Sequence, residues 1–133
     1  MEVKIDTKEK FHVITLIGPR LSADMTEKLN NCLLAFIQTD ACLPGRQVKN
    51  VVLNLKELQS LDNAAAENLV KVQQKFYENN ASFVICELKK PVEEFLDKED
   101  LLEMMNITPT ESEAADIVQM EEIEREMMDD EEL

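Results

Sequence analysis

Few side chains in this sequence are of the types that carry out catalysis or bind metals. There is one histidine, His12, and a single histidine cannot complete a two-histidine metal site. Its place in an alternating, β-forming segment favours a structural or surface imidazole over a catalytic one. The acidic pair Asp62 and Glu67 would suit general acid–base chemistry or a magnesium ion. Since no histidine or lysine completes a site with them, we favour solvated carboxylates and expect neither catalysis nor a bound metal.

The cysteines and glycines exclude further classes of site. Cys32, Cys42 and Cys86 form no Cys-x-x-Cys pair, so neither a disulfide framework nor a zinc site is indicated. Cys32 and Cys86 fall on helix and strand positions predicted to be buried, and Cys42 lies in a loop with no adjacent base. Two glycines, Gly18 and Gly45, are too few for a phosphate-binding loop. The sequence therefore predicts no cofactor.

The elements that must position these residues alternate between strands and helices. Segments 3–5 and 11–17 predict a hairpin ending at Gly18 and Pro19, after which Ser22 caps a helix. The apolar runs Val51–Leu55 and Phe83–Cys86 are typical of interior strands. Apolar residues at helical spacing predict three helices through the sets Met25, Leu29, Cys32, Phe36; Ala65, Leu69, Val72, Phe76; and Val92, Phe95, Leu96.

This β-β-α-β-α-β-α-(β)-α order predicts an α/β fold with a mixed sheet of four or five strands and helices mainly on one side. The strands at 51–55 and 83–88 should be adjacent and parallel, because a single crossover helix joins them. Residues 39–50 are predicted to form a loop, and Asn79 and Asn80 to end the second helix.

The C-terminal part of the chain continues this pattern. Four residues are predicted to be largely buried, Leu101, Leu102, Met104 and Met105, and Ile107 to begin a last short strand. Thr110 and Glu113 form a capping box that places a helix start at residue 111. An apolar set is predicted to lie on roughly one side of that helix: Ala114, Ile117, Met120, Ile123 and Met127.

The charge of the chain is concentrated near its end. The 133 residues fit one domain and carry 28 acidic against 14 basic side chains, a net charge of −14. Residues 111–133 hold 11 of the acidic residues and one basic residue, Arg125. We therefore predict a domain at 1–118 and an acidic helical extension at 119–133. The acidity argues against nucleic acid and anionic membrane partners, and no apolar run or signal sequence predicts membrane insertion or export, so a cytoplasmic location is expected.

The central segment from Val51 to Leu69 resembles the signature of the STAS domain, shared by sulfate transporters and bacterial anti-sigma factor antagonists. The matching residues are Val52, Leu53, Asn54, Leu55, Leu58, Leu61, Asp62 and Leu69. Leu16–Leu21 resembles the family's second strand and turn, and Val84–Leu88 its fourth strand. Pro91 and Val92, with Phe95 and Leu96, resemble the helix after that strand, and Glu113–Ala115 the start of the last helix. The resemblance covers residues from about 3 to 118.

The resemblance implies a non-enzymatic regulatory module that lacks the family's phosphorylation switch. The family's phosphoacceptor is a serine or threonine two residues after the Asp, and this sequence has Ala64 there, whose methyl group cannot accept phosphate. The family also implies a partner-binding surface at this helix start, comprising Arg20, Leu21, Ser22, Leu61, Asp62, Asn63, Ala64 and Ala65.

The partner implied by the family is a protein, either a kinase-like anti-sigma factor in bacterial transcription regulation or another ATPase. An alternative role is that of an accessory subunit binding an ATPase, as in ABC-type lipid transporters. A homodimer also stays open. Neither nucleic acid nor membrane insertion is part of either hypothesis.

Overall fold

The computed structural model describes residues 2–8, 11–38, 50–79 and 81–131. Its elements are the strands β1 (Glu2–Thr7), β2 (His12–Ile17), β3 (Arg20–Leu21), β4 (Val51–Asn54), β5 (Ser60–Leu61), β6 (Phe83–Cys86) and β7 (Ile107–Thr108), and the helices α1 (Ala23–Gln38), α2 (Asn63–Glu78), α3 (Lys90–Lys98) and α4 (Glu111–Glu131). A short 3₁₀ helix spans Leu102–Met104. The predicted loop at 39–50, with Cys42 and Gly45, lies outside the described residues except for Asn50.

Five strands form one mixed sheet in the order β1-β2-β4-β6-β7. The hairpin β1–β2 is antiparallel, and the other neighbours are parallel. As predicted, β4 and β6 are adjacent and parallel, with Val51 opposite Phe83 and Asn54 opposite Cys86. The predicted last strand at Ile107 is also confirmed, because β7 pairs with β6.

The two faces of the sheet carry separate hydrophobic clusters, because successive strand residues point to opposite faces. Leu53 and Ile85 pack with apolar residues of α1, α2 and α3 in the larger cluster. Val52 and Val84 pack with Ala114 and Val118 of α4 in the smaller one. The helices therefore lie mainly on one side of the sheet, as predicted, and α4 covers the other.

Helix α2 follows its sequence pattern closely. The residues at helical spacing, Ala65, Leu69, Val72 and Phe76, are all buried. The Phe76 ring packs on that of Phe83 with 5.1 Å between ring centroids, which fixes α2 against β6. The helix ends at Glu78, and the Asn79 N–H donates to the Phe76 carbonyl oxygen. Asn79 therefore ends α2 as predicted, and Asn80 lies outside the described residues.

One expectation about buried residues before β7 is wrong. Met105 is buried and Leu101 and Leu102 are half-buried, but Met104 is 52% exposed. A 3₁₀ helix turns once every three residues, so consecutive side chains point in different directions. Consecutive apolar side chains in such a turn therefore cannot all face the core.

Helix α4 starts at Glu111, where the capping box predicts it, and the Glu113 N–H donates to Thr110 Oγ1 over 3.2 Å. Its apolar residues do not share one side, however. Ala114 and Val118 are buried, but Met120 and Ile123 are exposed. Each step of three residues falls about 60° short of a full turn in a helix of 3.6 residues per turn, so this spacing drifts away from the sheet. The side chains of Phe36 and Met127 lie outside the described part of the chain.

Candidate functional site

Two short strands bring the predicted partner-binding residues together. β3 and β5 pair in parallel as a separate two-stranded sheet, with Arg20 opposite Ser60 and Leu21 opposite Leu61. The Pro19 carbonyl oxygen accepts hydrogen bonds from the Gln59 and Ser60 N–H groups at 2.8 and 3.0 Å. The Asp62 N–H donates to the Leu21 carbonyl oxygen at 3.1 Å. Residues that are far apart in the sequence are therefore held side by side by backbone bonds.

Asp62 is the N-cap of α2. Its backbone is extended, with φ −89° and ψ 171°, and its Oδ1 accepts a hydrogen bond from the Ala65 N–H over 3.0 Å. The Ala66 N–H donates to the Asp62 carbonyl oxygen at 3.0 Å. A carboxylate here satisfies one of the helix's first N–H groups and interacts favourably with the helix dipole. Asn63 and Ala64 are consequently the first two helical residues.

The eight predicted residues divide into an outer and a supporting group. Arg20, Asp62, Asn63 and Ala64 are exposed and Ser22 is half-buried, and we call these five the α2-start surface. The other three, Leu21, Leu61 and Ala65, are buried beneath it. The surface includes a hollow of about 270 Å³ that Arg20, Ser22, Ser60 and Asp62 line together with the two leucines. The buried group holds the outer group in place.

Ser60 also lies in this region, although it is not one of the eight residues predicted to form the surface. It is exposed on β5, directly opposite Arg20, and its side chain helps to line the hollow. The pairing of β3 with β5 places it there, and strands of two residues give too short a pattern to be recognised in a sequence. Ala64, one residue into α2, presents only a methyl group.

A second polar cluster lies at the opposite end of the sheet, where β6 and β7 begin. Glu121 of α4 accepts hydrogen bonds from Ser82 Oγ at 2.6 Å and from Tyr77 Oη at 2.9 Å. Asn106 Nδ2 donates to Tyr77 Oη. Burial raises the pKa of Tyr77, and the nearby Glu121 carboxylate raises it further, so the phenol stays neutral and donates. We call these four residues the Glu121 network.

Asn50 adds a second point of attachment for α4, through Glu122. Its Oδ1 accepts from the Ser82 N–H at 2.8 Å, and its Nδ2 donates to Glu122 Oε2 at 3.0 Å. Both carboxylates therefore join α4 to residues just before β4 and β6. This cluster could not be predicted from the sequence, because a half-buried glutamate in an acidic helix has the same local pattern as a solvent-exposed one.

Two of the three cysteines and the histidine lie within the described residues, and Cys42 lies outside them. Cys86 is buried, and burial together with the charges of Glu111 and Glu87 raises its pKa to about 12. Burial also raises the pKa of Cys32, which is half-buried. His12 Nδ1 lies 2.9 Å from Thr7 Oγ1 across the β1–β2 hairpin. Within the described ranges, no group of three or more His, Cys, Asp or Glu side chains is arranged to hold a metal ion.

The sequence matches one family model and several solved structures. The model of the STAS domain matches residues 2–114. Among curated proteins, none matches this sequence. Of the helices in the described ranges, none combines the length and the apolar character needed to cross a bilayer.

The structural matches include both small proteins and part of a transporter. A putative anti-sigma factor antagonist from Thermotoga maritima is 17% identical with a TM-score of 0.70, covering 88% of this chain and 94% of its own. The anti-sigma factor antagonist SpoIIAA in its unphosphorylated form is 18% identical with a TM-score of 0.66, covering 89% and 96%. The murine solute carrier 26 family member A9 anion transporter is 15% identical with a TM-score of 0.66, covering 84% of this chain and 18% of its own.

Proposed function

The chain belongs to the STAS domain family, and we propose that it is a non-enzymatic regulator of the anti-sigma factor antagonist type. It binds a protein partner, either a kinase-like anti-sigma factor or another ATPase, through the α2-start surface. The structural match to anti-sigma factor antagonists, which covers nearly their whole length, supports this role. In this role it acts in the bacterial cytoplasm on transcription.

The observation that carries the proposal is the arrangement at the start of α2. Backbone bonds between β3 and β5 place Arg20 opposite Ser60, and Arg20 and Asp62 line one hollow next to the exposed first turn that carries Asn63 and Ala64. A surface built on fixed backbone, with a positive and a negative group lining one hollow, gives a partner both shape and charge to recognise. Little conformational entropy is lost when such a preorganised surface binds.

Ala64 determines how this surface is regulated. Phosphate adds about −1.5 to −2 charges wherever a hydroxyl accepts it. Ala64 has no hydroxyl, so we propose that binding is not switched at this position and that the partner is released by other means. The small methyl group keeps the first turn of α2 flat and open to contact.

The alternative is an accessory subunit that binds a transporter ATPase. The match to part of the solute carrier anion transporter gives this hypothesis some weight, because a domain of this fold there belongs to a much longer transporter chain. The two hypotheses share the α2-start surface and differ in the partner that binds it.

Direct binding separates these hypotheses. The purified chain is titrated with the ATPase-fold anti-sigma factor and, separately, with a transporter ATPase, both from the same host, by isothermal calorimetry. We expect the anti-sigma factor to bind. Binding of only the transporter ATPase supports the alternative, and binding of neither contradicts both.

A matched pair of variants tests the surface itself. Ala64→Glu places a negative charge at the centre of the proposed contact and should weaken binding by about tenfold or more. Ala35→Glu makes the same change at an exposed position three turns along α1 and should leave binding unchanged. Equal effects of the two variants contradict a contact at the α2 start.

A further inference from the structure

Helix α4 carries exposed apolar side chains on the side away from the sheet. Met120 and Ile123 are 59% and 56% exposed, whereas Ala114 and Val118 of the same helix are buried against the sheet. At 3.6 residues per turn, Met120 and Ile123 project close to opposite the buried pair. We call Met120 and Ile123 the α4 ridge.

The spacing of the ridge is typical of helix–helix contacts. Met120 and Ile123 are three residues apart, and Met127 follows in the sequence at i+7, which is the a, d, a spacing of a heptad. In that register, Glu124, which is exposed, takes an e position. The e and g positions flank the apolar contact and select the partner by charge.

The charge of α4 selects the class of partner. Residues 111–133 hold 11 acidic residues and one basic residue. Two copies of this helix packed on each other would bring like charges together at the flanking positions, which is unfavourable. A partner helix with lysine or arginine at its own e and g positions would instead form ion pairs with the acidic residues of α4.

We propose that the α4 ridge binds a basic amphipathic helix of a partner protein. The helix is already held for this contact, because Glu121 bonds to Tyr77 and Ser82, and Glu122 bonds to Asn50. These bonds fix the turn that carries Met120, so binding there orders little additional chain. The ridge lies towards the end of the sheet opposite the α2-start surface, so the two surfaces are separate, and this proposal does not depend on the proposed function.

The test uses the full chain and a synthetic peptide of three heptads with Ile at a, Leu at d and Lys at e and g, with affinity measured by calorimetry. The peptide should bind the wild-type chain. Met120→Gln and Ile123→Gln should each weaken binding by about tenfold, because each removes apolar area from the contact. Met104→Gln is the matched control: Met104 is 52% exposed but lies in the 3₁₀ helix, so its substitution should leave the affinity unchanged.

Glu124, beside the α4 ridge, allows a second, independent measurement. Glu124→Gln should weaken binding at low salt and flatten its dependence on ionic strength, since it removes one of the paired charges. Unchanged melting temperatures would show that the exposed substitutions leave the fold intact.

Three results would overturn the proposal. The first is no binding of the peptide to the wild-type chain. The second is equal binding by the Met104→Gln and Met120→Gln variants, which would mean nonspecific adsorption to the acidic surface. The third is a wild-type dimer in sedimentation equilibrium that Ile123→Gln dissociates, which would make a second copy the occupant of the ridge.

Discussion

The two ends of α2 lie in opposite surroundings. At its start, Asp62, Asn63 and Ala64 are exposed, and the Asp62 carboxylate bonds within its own helix. In its last turn, Tyr77 is half-buried and bonds to Glu121 of α4 and to Asn106 before β7. One helix thus begins at an accessible surface and ends in a set of polar groups that bond to one another.

This difference separates stability from binding. Polar groups that satisfy each other away from water stabilise the fold and are costly to unpair, but they offer little to a partner. Exposed groups on a fixed backbone contribute less to stability and remain available for contact. Substitutions at the Glu121 network should therefore change the free energy of unfolding, and those on the outer α2-start surface should mainly change binding.

The largest expected effect comes from deleting the end of α4. The sequence pattern places the domain boundary at 118, but this residue lies within α4, and Glu121 and Glu122 bond to the rest of the domain beyond it. We propose a boundary at residue 124. Truncation after Val118 should lower the melting temperature by more than about 10 °C, because it leaves several polar groups without partners.

Truncation after Glu124 is the control for this deletion. It keeps both attachments and should change the melting temperature by less than about 3 °C. If the two truncated chains melt at the same temperature as the full chain, the boundary at 118 is correct and the network contributes nothing to stability.

The next largest effect should come from Glu121 alone. Glu121→Ala removes the acceptor for Ser82 Oγ and Tyr77 Oη and should destabilise the fold by about 2 kcal/mol, measured by urea denaturation. Glu124→Ala removes an exposed glutamate from the same helix and should change stability by less than about 0.5 kcal/mol. A similar decrease in the free energy of unfolding in both variants would show that helix propensity or charge, and not the Glu121 network, is responsible.

A smaller effect is expected at the other end of α2. Asp62→Ala removes the N-cap bond to the Ala65 N–H and should cost about 1 kcal/mol. Asp62→Asn keeps an oxygen that can accept this bond, so it should lower the free energy of unfolding by only a few tenths of a kcal/mol. If thermal melts show that Asp62→Ala is as destabilising as Glu121→Ala, the contrast between the two ends of α2 does not hold.

The fold could be predicted from sequence because its signals are local. Four consecutive apolar residues mark β6, and the spacing from Ala65 to Phe76 marks the buried side of α2. The capping box at Thr110 likewise acts within one turn of chain. Such patterns depend on neighbours in the sequence, so they can be recognised without knowledge of the tertiary structure.

The features that could not be predicted depend on residues distant in the sequence. The pairing of Arg20 with Ser60 follows from two connectors meeting in space, and neither connector has a strand pattern of its own. The network joins Glu121 to Ser82, 39 residues earlier. For the candidate site, the sequence proposes a set of residues but not that Leu21 and Leu61 lie buried beneath the exposed ones, because that depends on the pairing of β3 with β5.

The proposal of binding without a phosphorylation switch is tested most directly by phosphopeptide mapping. The chain is incubated with its anti-sigma kinase and ATP, beside the Ala64→Ser variant. We expect no phosphate at the start of α2 in the wild type and phosphate on the introduced serine, because a hydroxyl there is exposed and close to the first N–H groups of the helix. Phosphate on Ser60 of the wild type, or a variant that binds the kinase but is not phosphorylated, would contradict the proposal.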